Sequence, residues 1–240
     1  VLAYDGTEYC GWQVQPHGDS IQGRVEAAFS KLADCDVRVV AAGRTDAGVH
    51  AEAQVVHFDL PRALPPEALV RGGNTLLPPD IRVRSAEPTA ATFHARYSAR
   101  AKTYRYCLDR GPVSLPFRSR FTLHYPHHLD EDAMSEGARA FVGEHDFAGF
   151  RASSCGAKTT IRRCDVSSWL PVGAGDELHY TVKASGFLHH MVRNMVGTLL
   201  EIGRGKRSPR DIARLLASGD RPSAGPTAPA KGLHLVCVDY

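Results

Sequence analysis

The chain has 240 residues, 43% hydrophobic and 23% charged, with a net charge of +3. These proportions suit a soluble globular protein of one large or two ordinary domains, and no apolar run approaches the length that spans a bilayer. Six scattered cysteines with no Cys-x-x-Cys pair argue against a disulfide scaffold or a zinc site, and nothing near Val1 reads as a signal peptide, so a reducing, cytoplasmic setting is expected.

In chain order, Val1–Tyr4 reads as the stub of a first strand. With no Met before it, further strand residues are expected upstream. Asp5-Gly6 turns the chain into a polar, glycine-bearing loop through Trp12 to Gly18. Asp19-Ser20 offers an N-cap, and Ile21, Val25, Ala28 and Phe29 recur at helical spacing to about Leu32. Val37–Val40 and Gln54–Asp59 read as strands on either side of a loop, from β-branched content. Pro65-Pro66 open a short helix that Gly72-Gly73 weaken or end. Ile81–Arg84 alternates apolar and basic residues like a half-buried strand. The second half repeats this order. A strand is expected over Lys102–Leu108, a helix over Leu129–Phe141, and strands over Ile161–Leu170 and Leu178–Ala184 around a Gly173-Ala-Gly175 turn. An apolar helix follows over Leu188–Ile202, with Gly203 stopping it. Ser208-Pro209 caps a further helix to about Leu216, a Gly/Pro-rich loop spans Gly219–Pro229, and Leu233–Val238 is the last strand.

This pattern predicts an α+β protein of two similar α/β halves, 1–100 and 101–240, with pseudo-two-fold symmetry. A mainly antiparallel sheet platform would be flanked by helices, with the active-site cleft between the halves. Charge is unevenly spread. Residues 82–120 hold nine Lys/Arg against Glu87 and Asp109, interleaved with Phe93, Tyr97, Tyr104, Tyr106 and Phe117. Residues 193–214 hold six against Glu201 and Asp211. Basic zones laced with aromatics are the footprint of a polyanion binder. The adjacent pairs His127-His128 and His189-His190 are expected to diverge rather than share a metal, and no metal site is expected.

One loop stands out. Ala41-Ala-Gly-Arg-Thr-Asp-Ala-Gly-Val-His-Ala51 sets a cation, a hydroxyl and a carboxylate (Arg44, Thr45, Asp46) between two glycines that permit positive φ and close approach. A plain hairpin needs none of that polar set. Taken alone, it reads better as an Asp capping its own backbone.

The wider chain tips the balance. Gly43–Ala51 resembles the catalytic signature of the tRNA pseudouridine synthase A family. Tyr4–Gln13, Phe93–Ser98 with Lys102–Tyr106, Gly186–Arg193 and Pro229–Leu235 are similar to its other segments, in order across nearly the whole chain. The resemblance implies isomerisation of uridine to pseudouridine at positions 38, 39 or 40 of the tRNA anticodon stem-loop, by a homodimer in which one tRNA spans both subunits. Such chemistry needs no cofactor, consistent with finding no P-loop and no dinucleotide fingerprint. It needs an ionised carboxylate, as nucleophile or base, and Asp46 is the candidate. Arg44 could pair with Asp46 and keep it ionised, or contact a phosphate instead. The resemblance places Arg193 beside the carboxylate and assigns Tyr104 to stack on the extruded uracil. Alternation sets Tyr106 on the same face, so geometry does not choose between the two rings. Leu233 is expected to close the pocket, and Lys102, Arg105, Arg96 and Arg100 to hold backbone phosphates. Two rivals are an RNA-binding module without catalysis, and a hydrolase pairing Asp46 with His50 or His57.

Overall fold

The computed structural model describes residues 1–173 and 175–240. It falls into two compact units, Val1–Arg100 with His234–Tyr240, and Ala101–Leu233. Among the described residues the protein is mixed α/β, with mainly antiparallel strand pairing and five α-helices. None of these helices is long and apolar enough to cross a membrane.

The first unit holds β1 (Leu2–Tyr4), α1 (Ile21–Ala33), β2 (Val40–Ala41), β3 (His50–Gln54), β4 (Val56–His57), α2 (Pro66–Leu76) and β5 (Ile81–Val83). Strand β1 lies between β5 and β3 and is antiparallel to both. The C-terminal strand Leu233–Asp239 runs parallel to β3, with His234 opposite His50. This pairing ties the last residues of the chain to its first unit. Helix α1 starts as its sequence dictates. Ser20 Oγ accepts from Gly23 N at 3.2 Å, and Ile21, Val25, Ala28 and Phe29 turn inward.

Two expectations in this unit are corrected. The strand at Val37–Val40 shrinks to Val40–Ala41, paired with β4. Side chains of α1 take the backbone donors that a ladder would use: Val37 N goes to Ser30 Oγ at 2.9 Å and Val39 N to Glu26 Oε1 at 3.0 Å. Likewise β3 begins at His50, and only Val56–His57 forms a strand beyond Gln54. Gly72-Gly73 do not end α2 either. A Cβ at Gly72 would lie 2.5 Å from Leu32 Cδ1, and one at Gly73 2.9 Å from Val83 Cγ2. These glycines let the helix lie close against α1 and β5, at some loss of helix propensity.

The second unit holds β6 (Ala101–Asp109), β7 (Leu123–His124), α3 (Glu131–Arg139), β8 (Gly143–Asp146), β9 (Ile161–Val172), β10 (Glu177–Ala184), α4 (Met191–Gly203) and α5 (Asp211–Ser218). Leu233–Asp239, already placed, is β11. The strand order β6-β10-β9-β8 is antiparallel throughout, and β7 adds parallel to β6. One face of this sheet carries Tyr106, Leu108, Leu178, Tyr180 and Val182, all fully buried. The short strands β7 and β8 went unread in the sequence. Helix α3 is shorter than its pattern because Asp130 caps it, accepting from Ala133 N at 2.9 Å. Helix α5 starts only at Asp211, since Ser208-Pro209 form a turn closed by Asp211 N on Ser208 O at 2.9 Å. Gly173 and Gly175 adopt positive φ of 65° and 94°, as a turn there requires, while Ala174 between them lies outside the described residues.

Candidate active site

The Asp46 loop is held from beneath by the opening segment of the chain. Tyr4 OH lies 2.8 Å from Thr45 Oγ1, both buried, and Gln54 Nε2 donates to Gly43 O at 2.7 Å. Burial pushes the Tyr4 phenol up to about 12, so it stays protonated and available as a donor. Trp12 N donates to Thr45 O at 3.0 Å. Gly11, at φ 104°, backs so closely onto the loop that a Cβ would lie 2.8 Å from Thr45 O and 3.1 Å from Asp46 C. Gly6 does the same at the far end, where a Cβ would meet Val49 O at 2.1 Å. Between these supports, Val49 N closes a turn on Asp46 O at 3.1 Å, and Gly48 takes the positive φ of 76° that the turn needs.

Asp46 is thereby presented half-buried on a backbone fixed at both ends. Arg44 is exposed and, among the described residues, forms no ion pair with Asp46. The supporting residues Tyr4, Gly6, Gly11, Trp12 and Gln54 were not singled out in the sequence, although most lie inside a matched motif. His50 Nδ1 sits between Gly6 N at 3.1 Å and the Asp5 carboxylate at 3.2 Å, and its ring stacks on His234 at 4.8 Å. His57 Nδ1 accepts from Ala95 N at 3.1 Å. Both imidazoles are thus engaged in holding the fold.

In the second unit, β6 separates the two tyrosines. Tyr106 is fully buried, its hydroxyl donates to Pro229 O at 2.8 Å, and a Cβ on Gly232 would lie 2.7 Å from its ring. Burial raises its phenol well above the usual tyrosine range, with the Arg193 charge pulling the other way. Tyr106 is therefore a strut beneath the segment that ends in Leu233, itself 5% exposed. Tyr104 keeps 7% exposure and meets Phe187 in a T-shaped contact at 5.0 Å. The pleat puts Lys102 on the Tyr104 face and Arg105 on the opposite one.

Arg193 lies in the first turn of α4, where its Nε donates to Ala228 O at 2.7 Å and its carbonyl accepts from Ala228 N at 3.1 Å. The strap that carries Ala228 is locked to the helix by polar groups inside an otherwise apolar face. Asn194 donates to Phe150 O at 2.7 Å and accepts from Thr227 at 2.7 Å and Arg221 at 2.9 Å. Thr198 Oγ1 accepts from Gly225 N at 2.9 Å. A Cβ on Gly197 would fall 1.6 Å from Pro226 O. The buried Asn194 and Thr198 in the most apolar helix were the signal that the 219–229 loop is fixed. The histidine pair ahead of this helix corrects another expectation. His190 adopts φ 62°, which swings its ring to 4.0 Å from that of His189 instead of letting the two diverge.

The basic residues divide by what they touch. Arg96 and Arg100 are exposed. Arg82 instead donates to Pro78 O at 2.7 Å and Arg84 to Glu52 O at 2.8 Å. Arg110 pairs with Glu131, and Arg118 with Glu177 at 3.1 Å.

The chain thus carries a loop-borne carboxylate on a glycine-fitted backbone, a strand with two tyrosines and a strapped arginine. Comparison with known proteins gives the class of protein to which they belong. The family model described as tRNA pseudouridine synthase matches residues 1–98 and 138–240. The protein called tRNA pseudouridine synthase A in Syntrophotalea carbinolica is 49% identical over 240 residues, all of this chain and 94% of that one. Those of Brevibacillus brevis and Geobacter sulfurreducens are 46% and 48% identical, over all of this chain and 98% of each relative. The chain belongs to the tRNA pseudouridine synthase family, a family of isomerases.

Proposed function

We propose that this protein isomerises uridine to pseudouridine in the anticodon stem-loop of tRNA, at positions 38, 39 or 40, with Asp46 as the reacting carboxylate. The observation that carries the reading is the Asp46 loop, half-buried on a backbone too tightly fitted at Gly6 and Gly11 to serve as a simple connection. The bond from N1 to C1′ breaks, the uracil turns, and C5 joins C1′. The C5 proton leaves and N1 gains one, so atoms and charge balance without an outside reductant or oxidant. Asp46 acts at C1′ or on the base, as nucleophile or base.

Extruding the uridine costs a few kcal/mol, and stacking on an aromatic ring returns about 1–3 kcal/mol. Tyr104 is the ring for that role, since Tyr106 is occupied as a strut. Because Tyr104 keeps only 7% exposure, the base reaches it when neighbouring side chains, Phe187 among them, shift. Leu233 packs on the other side of the base. The family resemblance gives Arg193, steadied by Ala228 O, the role of supplying positive charge to the carboxylate. Arg44, exposed, takes a phosphate rather than tuning Asp46. Lys102, Arg96 and Arg100 hold further phosphates, and Arg105, on the other sheet face, contacts a separate stretch of RNA. The family resemblance also implies a homodimer, which sedimentation at micromolar concentration tests.

The deciding experiment uses unmodified tRNA labelled with tritium at uracil C5. Isomerisation releases the label to water with no change in chain length, and carbodiimide mapping locates the product. A purely RNA-binding protein would retain all the tritium, and a hydrolase would free uracil or cut the strand.

A further inference from the structure

The segment Phe93-His-Ala-Arg-Tyr-Ser98 is built more carefully than a row of phosphate contacts requires. Ser98 N donates to His94 O at 2.9 Å, and His94 N donates back to Ser98 Oγ at 3.1 Å. His94 Nδ1 accepts from Arg96 N at 3.1 Å and Tyr97 N at 3.2 Å, which puts its ring proton on Nε2. The backbone donors of residues 94, 96, 97 and 98 are thus satisfied within one turn. Beneath it, Ala95 is fully buried, its N–H donating to His57 and its carbonyl accepting from Tyr240 OH at 2.7 Å. Phe93 wedges against Tyr240 at 4.9 Å, and the His57 ring meets that of His94 at 4.8 Å.

This rigid turn raises one ring into solvent. Tyr97 is 76% exposed, its ring backed by that of His94 at 4.2 Å with an interplanar angle of 32°. The Arg96 guanidinium lies 5.7 Å from the Tyr97 centroid, at the outer edge of a cation–π contact. An aromatic ring contributes to folding by being buried, and this one is not. A ligand for it would be planar, offer a π-face and tolerate nearby cations. An unpaired nucleobase has those properties, and its phosphate could draw the loosely held Arg96 and the exposed Arg100. A base inside a duplex has no free face to offer.

We propose that Tyr97, backed by His94 and flanked by Arg96, is a stacking platform for one unpaired nucleotide of the RNA substrate, distinct from the uridine that reacts. The inference rests on the RNA-isomerase reading, and its test separates the two. Binding of tRNA and of a blunt, fully paired RNA duplex is measured by fluorescence anisotropy for wild type and for Tyr97→Ala, Tyr97→Phe and Tyr97→Trp. Loss of the ring is expected to weaken tRNA binding about five- to hundredfold. Phe and Trp should hold affinity within about threefold, and binding to the duplex should change less than twofold in every variant. The Trp variant should also show quenched emission from the introduced indole on saturation with tRNA, measured as the difference from wild type. Equal binding of tRNA by the Ala variant and wild type would overturn the platform, as would equal losses on tRNA and duplex or an unquenched indole. Should Tyr97→Ala fail to fold, the Trp quenching and the Phe affinity decide alone. Tritium release by wild type reports on the isomerase reading separately. If label is released and the platform tests fail, only the platform falls.

Discussion

The loop at 43–51 and the basic stretch at 82–120 are both polar and rich in charge, but different physics holds them. Around the loop, what matters is backbone distance. Gly6 and Gly11 leave no room for a Cβ, and Trp12 N fixes Thr45 O at 3.0 Å. In the basic stretch what matters is which long side chains remain available. Arg82, Arg84, Arg110 and Arg118 are drawn onto carbonyls or carboxylates of the protein itself, while Arg96 and Arg100 stay exposed. If Asp46 is the reacting carboxylate, a substitution around the loop displaces a reacting atom, so its effects should be steep. A substitution in the stretch subtracts one charge among several, so its effects should be graded.

The steepest effect is expected at Asp46 itself. Asp46→Asn should abolish tritium release while leaving tRNA affinity within a few-fold, or tighter, because a negative charge near phosphate is gone. Any sustained turnover by that variant would break the contrast at its centre. Next comes Gly11→Ala. The added methyl would lie 2.8 Å from Thr45 O, 3.0 Å from Ala47 N and 3.1 Å from Asp46 C, and the residue sits at φ 104°, so the loop must shift. A displacement of about 1 Å at a reacting group can cost a hundredfold in rate. Positive φ at a residue other than glycine adds strain of about 1–3 kcal/mol, visible as a lower melting temperature. Near-wild-type rates with a lowered melting temperature would mean that the loop's position is not critical.

Between these extremes lie the two tyrosines. Tyr104→Ala should lower the isomerisation rate about ten- to hundredfold through lost stacking, whereas Tyr104→Phe keeps the π-face and most of the activity. If Phe proves nearly as damaging as Ala, the phenol also moves a proton. Tyr106→Phe loses the bond to Pro229 O and should cost about 1 kcal/mol of stability, read in urea melts, with a smaller effect on rate. A larger rate loss at Tyr106 than at Tyr104 would reverse the assignment of the ring beneath the uracil.

These residues also mark what could be read from the sequence. Periodicity and capping residues placed α1 within a residue or two at its end, because Ser20 and the spacing of Ile21, Val25 and Phe29 act locally. The Asp46 loop stood out because its glycines and charges sit together in the chain, but only the family resemblance of the wider chain made Asp46 the candidate. Its supports were not, since Gly11 meets Asp46 only after folding, and a glycine's reason for being small is a neighbour distant in sequence. The same holds for Gly197 against Pro226, which turns a Gly/Pro-rich segment that looked loose into a fixed strap. Val37 and Val39 misled because β-branched residues read as strand, while Ser30 and Glu26 of α1 had claimed their N–H groups. Charge counts do not say which cations the protein itself engages, because nothing in the spacing of Arg110 or Arg118 announces Glu131 or Glu177.

The smallest expected effects test that last point. If the exposed cations hold phosphates, log affinity for tRNA should fall linearly with log salt, and each phosphate contact removed should reduce the slope by about 1. Arg96→Gln and Arg100→Gln should each do so, weakening binding uniformly across tRNA sequences. Arg118→Gln should leave the slope unchanged, since Arg118 already faces Glu177 at 3.1 Å. Its loss costs at most about 1 kcal/mol of stability, as for other exposed ion pairs. Arg82→Gln likewise removes a side chain engaged with Pro78 O and Ile81 O. A slope reduced equally by all four substitutions would mean that Arg82 and Arg118 leave their partners within the protein to meet RNA, and that the basic stretch acts as a whole after all.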